Sequence, residues 1–150
     1  MKQESVTPMN TETPQAARAQ ALQAALAAYF APWVQALRLR VECFDADSVT
    51  LRLPHDPQLT RVGGMLCGQA MMAAADTAMA LALVNRFGEF RPCTTVQMSS
   101  SFLKPLSNQD ALVQARVVRA GKSLAFGEID IRGADDGNSV SRSSTTYALL

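Results

Sequence analysis

The chain has 150 residues, 48% of them hydrophobic, and carries 14 Lys plus Arg against 13 Asp plus Glu for a net charge of +1. That length suffices for one domain with a core of its own, and the near-neutral balance excludes the basic footprint of a nucleic-acid or anionic-membrane binder. Three cysteines, Cys43, Cys67 and Cys93, form no even set and show no paired metal-ligand spacing, which argues against a disulfide framework or a zinc site and for reduced thiols in a cytoplasm.

Residues 1–12 are polar and lack the apolar run of a secretory signal, so they are expected to form a flexible tail ahead of one domain, 13–150. Thr13 is placed to cap a helix with Pro14 at its first position, and Leu22, Leu26, Tyr29, Phe30 and Trp33 follow one apolar stripe; Pro32 is expected to end it. Leu37, Leu39, Val41 and Cys43 alternate with charged residues, as do Val49, Leu51 and Leu53 with Thr50 and Arg52, which predicts a hairpin around Asp45 to Ser48. Pro54 to Arg61 reads as a loop, and Gly63-Gly64 permits a tight turn before a long Ala, Met and Leu-rich helix, Gly68 to Phe87. That helix is apolar on nearly every face, so other elements must wrap it. Its Asp76 also makes a membrane span the poorer reading of Gly63 to Val84.

Val96, Met98, Ser100 and Phe102 alternate up to Pro105, and three further strand-like runs follow, Ala111 to Arg119, Ser123 to Arg132 and Val140 to Leu149, with turn signals between them. Two strands, a long helix and four strands predict an α+β fold, an antiparallel sheet curled around a central helix with one extra N-terminal helix.

Asp76 is the most informative residue because Ala73, Ala74, Ala75, Ala78, Met79 and Ala80 around it are all apolar, and a carboxylate there is costly unless paired or hydrated. A cap on a second helix starting at Thr77 is the competing account. Gln69 lies nearly two helical turns earlier on the same face, so it either shares a cleft with Asp76 or caps the helix start. The stretch Gly63 to Gly68 should present free backbone N–H groups where the helix dipole favours negative charge, which suits a carbonyl oxygen turning into an oxyanion. His55, the only histidine, sits in a loop and reads as a surface residue. Cys67, at a helix N-terminus, is either a reactive thiol or a small buried residue.

The runs GGMLCGQAMMAAADTAMALAL, TTVQMSSSFLKP and RAGKSLAFGEIDI resemble the hotdog-fold acyl-CoA thioesterases, and within them the phenylacetate-degradation-type group, over roughly Leu37 to Leu150. In that family the helix opens with His-Gly-Gly and the catalytic Asp follows nine residues after the His; here Cys67-Gly68-Gln69 holds the opening and Asp76 falls in register. The resemblance implies that Asp76 is the catalytic carboxylate, that the Gly68 N–H polarises the thioester carbonyl, and that Thr95 orients the water. It further implies that Arg119, Gly121, Lys122 and Ser123 contact the CoA moiety, with Gln69, Cys67, Arg61 and Gln97 at the substrate; Arg61 or Thr60 stands where the family often has an Asn. Its sites lie between two protomers, the Asp from one and the Ser or Thr from the other, which implies a homodimer extended to a dimer of dimers.

The expected activity is hydrolysis of an acyl-CoA to free acid and CoA, with no cofactor or metal beyond the CoA of the substrate. Met71, Met72, Met79 and Phe102 would line an aromatic or medium-length acyl chain, or else form core. A non-catalytic acyl-CoA sensor or carrier on the same fold, encouraged by the altered helix opening, and a hotdog dehydratase or hydratase remain as alternatives. The dehydratase reading wants a histidine at the helix opening, and His55 lies outside it.

Overall fold

The computed structural model describes residues 12–150, so the expected tail lies almost wholly outside them. Helix α1 (Pro14–Tyr29) starts as predicted, with Thr13 Oγ1 accepting from Ala16 N at 3.2 Å and Pro14 in the first turn. Pro32 does not end this helix but opens a second, α2 (Pro32–Gln35), after an extended break at Phe30. Proline's fixed φ suits a first turn, where its missing N–H leaves nothing unsatisfied. Strands β1 (Arg40–Phe44) and β2 (Ser48–Leu53) form the expected hairpin. Leu37 and Leu39 are buried yet precede it, because Arg38 takes φ 56° and interrupts the extended backbone.

Gly63 and Gly64, at φ 96° and 77°, turn the chain into helix α3 (Gly68–Phe87), which runs unbroken for 20 residues and stops at Gly88 in the left-handed conformation. Continuity through Asp76 and Thr77 removes the second-helix account of Asp76. Strands β3 (Cys93–Phe102), β4 (Ala111–Ala120), β5 (Leu124–Gly133) and β6 (Ser139–Leu149) complete one antiparallel sheet of order β1-β2-β4-β5-β6-β3.

The sheet wraps one side of α3, which packs mainly on β2, β4 and β5. Ala74, Ala75, Ala78, Met79, Leu81 and Ala82 are fully buried against Leu51, Val113, Ala115 and Ile129. The alanines bring the helix close to the sheet. Gly127 makes room for Met79, since a Cβ there would lie 2.1 Å from Met79 Sδ. Despite its composition, α3 is not long and apolar enough to cross a membrane, nor is any other helix among the described residues.

Helix α1 is pinned to the rest of the molecule through polar side chains. Arg18 donates to the Asn85 main-chain oxygen and, at 3.3 Å, to its Oδ1, while Asn85 Nδ2 donates to Asp45 O at 2.7 Å. Gln23 behaves like a short strand: its Oε1 accepts from Val41 N at 2.8 Å and its Nε2 donates to Leu39 O at 3.3 Å. One sheet edge, β1, is thereby covered. The other, β3, is open, with Val96 58% and Phe102 50% exposed.

Strict alternation along β3 would turn Val96, Met98, Ser100 and Phe102 inward and Thr95 outward. A bulge between Thr95 and Gln97 changes the phase: Thr95 pairs with inward Tyr147, and Met98 pairs with inward Thr145. Thr95 therefore faces α3.

Candidate active site

Asp76 projects from the middle of α3 toward the end of the sheet where β3 and β6 meet. Thr95 Oγ1 donates to its Oδ1 at 2.8 Å, and the Tyr147 hydroxyl donates to the same oxygen, with the Asp76 main-chain oxygen 2.8 Å away as a second acceptor. Both donors converge on one carboxylate oxygen. Oδ2 has no protein partner among the described residues, so it is the oxygen available to a reactant. Burial, followed by the bond to Asp76, holds the Tyr147 phenol well above its ordinary range, so it remains a donor. Burial and the nearby Asp76 charge likewise push the Cys93 thiol up.

The carboxylate opens into a cavity of about 330 Å³ between α3 and the α1–α2 segment, within the range of small-ligand pockets. Its floor is a helical stripe of small residues, Ala73, Thr77 and Ala80, and its walls are Tyr29, Phe30, Trp33, Phe87 and Phe90. Tyr29 stacks on Phe90 with ring centroids 4.2 Å apart, and the Arg91 guanidinium lies 4.4 Å over Phe87. A lone carboxylate with one free oxygen at the end of an apolar cleft suits attack on an electrophilic carbonyl carbon, or activation of a water beside it.

The sequence pattern of the thioesterase superfamily matches residues 63–140, just over half of the chain and including Gly68, Asp76 and Thr95. The chain belongs to the thioesterase superfamily. It is 26% identical over 114 residues to a Thermoplasma acidophilum protein named "putative esterase", a match covering 75% of this chain and 84% of that one. Among solved structures, a thioesterase superfamily protein aligns with TM-score 0.80 at 17% identity, covering 89% of this chain and 99% of that chain. Thioesterase superfamily member 2 of Mus musculus aligns with TM-score 0.78 at 19% identity, covering 88% and 97%. These likenesses show that the fold is the hotdog fold, as expected.

Within this thioesterase superfamily chain the predicted residues fall into separate places. Asp76 and Thr95 meet within one chain rather than across two, because the β3 bulge turns Thr95 inward. Gln69 and Asp76 do not share a cleft: Gln69 and Cys67 line a neighbouring depression with Ala36, Leu37 and Leu59, and Trp33 stands between the two cavities. Nor does Gln69 cap the helix. Cys67 does, its Sγ accepting from Ala70 N at 3.4 Å, which gives this half-buried thiol a structural role. Gly68 is the first residue of α3, so its N–H has no acceptor within the helix. It lies in another cavity, of about 430 Å³, beside Arg61, Phe102 and Lys104, with the Phe102 ring 3.4 Å from where a Cβ would be.

Gly121, Lys122 and Ser123 occupy the β4–β5 turn, and Arg119 lies in the last residues of β4, paired with Phe126. Across the sheet Ala125 pairs with Tyr147 and Tyr147 with Thr95, so this turn sits at the Asp76 end, although none of its residues lines the cavity. Gln97 is exposed on β3, its main-chain oxygen accepting from Thr145 Oγ1 at 2.9 Å. Thr60 donates to Pro57 O at 2.7 Å, remote from Asp76. His55 is exposed, its N–H given to Asp110 Oδ1 at 2.7 Å. Met71, though buried, lines the Gly68 cavity together with Phe102, Met79 is core, and Met72 faces solvent. Among the described residues no three His, Cys, Asp or Glu converge as metal ligands.

Sequence reasoning missed Tyr147 and the aromatic wall. Tyr147 ends a run of inward hydroxyl residues, Ser141, Ser143 and Thr145, and a buried tyrosine hydroxyl needs a partner; that was the available signal. Tyr29 and Trp33 read as core stripe but are 51% and 65% exposed.

Proposed function

We propose that the protein hydrolyses an acyl-CoA thioester to the free acid and CoA, with Asp76 as the catalytic carboxylate. The observation that carries this reading is the Asp76 carboxylate held through Oδ1 by Thr95 and Tyr147, with Oδ2 left free beside an apolar cavity. Oδ2 either takes a proton from the water that attacks the carbonyl carbon, or attacks that carbon itself to form an anhydride that water then cleaves to the free acid and the restored carboxylate; in both routes the C–S bond breaks and CoA leaves as the thiolate. This chemistry calls on no cofactor beyond the CoA of the substrate. The acyl-CoA form of the substrate and the phenylacetate-degradation-type placement rest on the sequence resemblance, and a cytoplasmic setting accords with three free cysteines. Lys122 and Arg119, exposed at the Asp76 end, are then candidates to meet the CoA phosphates.

The oxyanion donor comes from a second copy. Gly68 and Asp76 are eight residues apart on one straight helix, about 12 Å of rise, too far for one carbonyl to touch both. On β3, Thr95 marks the Asp76 end and Phe102 the Gly68 end. Antiparallel pairing of β3 with its copy, centred between Met98 and Ser99, sets Phe102 of one protomer opposite Thr95 of the other. Each of two equal sites then joins one protomer's helix N-terminus to the other's Asp76, and the open edge is closed. A dimer of dimers would build on this unit.

The test is release of free CoA from a panel of acyl-CoAs. We expect turnover by the wild-type protein and a fall in kcat of about 10² to 10⁴ in Asp76→Asn. Unchanged turnover in that variant would sink the mechanism, and binding without turnover in the wild type would make the protein a sensor or carrier.

A further inference from the structure

The aromatic wall of the Asp76 cavity comes from three stretches of chain: α1 and its end (Tyr29, Phe30), α2 (Trp33), and the end of α3 with the segment after it (Phe87, Phe90). Tyr29, Phe30 and Trp33 precede the stretch that matches the superfamily pattern, whereas Phe90 lies within it. This wall is not ordinary core. Trp33 is 65% exposed and Phe90 45%, yet Tyr29 and Phe90 are stacked at 19° between planes. The wall is also held in place, since Arg18 and Gln23 tie α1 to Asn85 and to the β1 edge. Opposite the aromatics, Ala73 and Ala80 leave room, and Asp76 stands in the same lining.

Flat rings favour offset-stacked or edge-to-face contact with other rings and gain from it beyond the area they bury. A straight alkyl chain meets the same wall with area alone. We propose that Trp33, with the stacked Tyr29–Phe90 pair, determines acyl specificity by selecting a planar arylacyl group over an alkyl chain of equal carbon number. This rests on the reading of Asp76 as acting on an acyl thioester.

Trp33 is the only tryptophan in the chain, so its emission reports on the cavity without any need for turnover. The experiment titrates Asp76→Asn with benzoyl-CoA, heptanoyl-CoA and CoA alone, and compares kcat/KM for the two acyl-CoAs in the wild type and in Trp33→Leu. We expect saturable quenching by benzoyl-CoA at concentrations about tenfold below those heptanoyl-CoA requires, and no change with CoA alone. Trp33→Leu should lower kcat/KM for benzoyl-CoA about tenfold more than for heptanoyl-CoA. Equal binding of the two acyl-CoAs, or an equal loss on both in Trp33→Leu, overturns the proposal while leaving hydrolysis intact. Selective quenching by benzoyl-CoA in a protein that releases CoA from no substrate keeps the wall and removes the hydrolase reading.

Discussion

At the scale of single residues, the arrangement turns on which oxygen of Asp76 is occupied. Thr95 and Tyr147 both hold Oδ1, so their loss should loosen the carboxylate without emptying the cavity. Tyr147→Phe keeps the buried ring and removes only the donor; hydrogen bonds to charged groups contribute about 1.5 to 3 kcal/mol, so kcat should fall by roughly 10 to 100-fold. KM should change little, and the split between kcat and KM in steady-state assays checks this. A rise in KM at constant kcat would make Tyr147 part of the binding surface instead. Because burial and Asp76 hold the phenol above its ordinary range near pH 10, Tyr147 stays protonated there, and the pH–rate profile should show no alkaline loss centred on that value. Asp76 itself was legible in the sequence, as a carboxylate alone among alanines and methionines. Tyr147 was legible only as an inward hydroxyl in need of a partner, because a tyrosine on an alternating strand carries no mark of which residue lies across the core.

At the scale of elements, short-range signals translated well and phase changes did not. Thr13 with Pro14, the Gly63-Gly64 turn and the twenty-residue α3 all stand where local chemistry put them. The β3 bulge has no such signature, yet it decides whether Thr95 faces the helix or solvent. Away from the site, the β1–β2–β4 end is fastened by charge. Arg52 reaches Glu42 at 2.7 Å and Asp110 at 3.2 Å, and Asp110 also accepts from His55 N. The His55 N–H, then Arg52, holds the Asp110 carboxyl below its ordinary range, and Arg52 does the same for Glu42. A folded pKa below the unfolded one stabilises fully above the unfolded value, near pH 4, and this contribution is lost as pH falls through the folded value. Asp110→Asn should therefore lower the urea midpoint at pH 7 and narrow the difference between pH 7 and pH 3. Equal destabilisation at both pH values would show that ionisation of Asp110 plays no part.

At the scale of the whole molecule, the proposed shared site draws on the open β3 edge and the rise of about 12 Å between Gly68 and Asp76, and complementation tests it directly. Gly68→Pro removes the N–H at a first helical position that tolerates proline, and Asp76→Asn removes the carboxylate. Each variant alone should be nearly inactive. Mixed and reassociated in equal amounts, they should recover about a quarter of wild-type activity, since half of the dimers are mixed and each has one intact site. No recovery, with mixed dimers demonstrated by mass spectrometry, would place both groups' action within one chain.

The sequence by itself determined the order of the elements, the wrapped central helix, the glycine turn and the anomaly of a carboxylate on an apolar face. Those follow from hydrophobic period, capping and backbone freedom, which act over a few neighbouring residues. Only the tertiary structure decided what meets Asp76. Tyr147 lies 71 residues away from it in sequence, the aromatic wall gathers from both sides of α3, and Trp33 separates Gln69 from the cleft it was expected to share. Such meetings depend on how strands register and helices pack, and no local pattern encodes them.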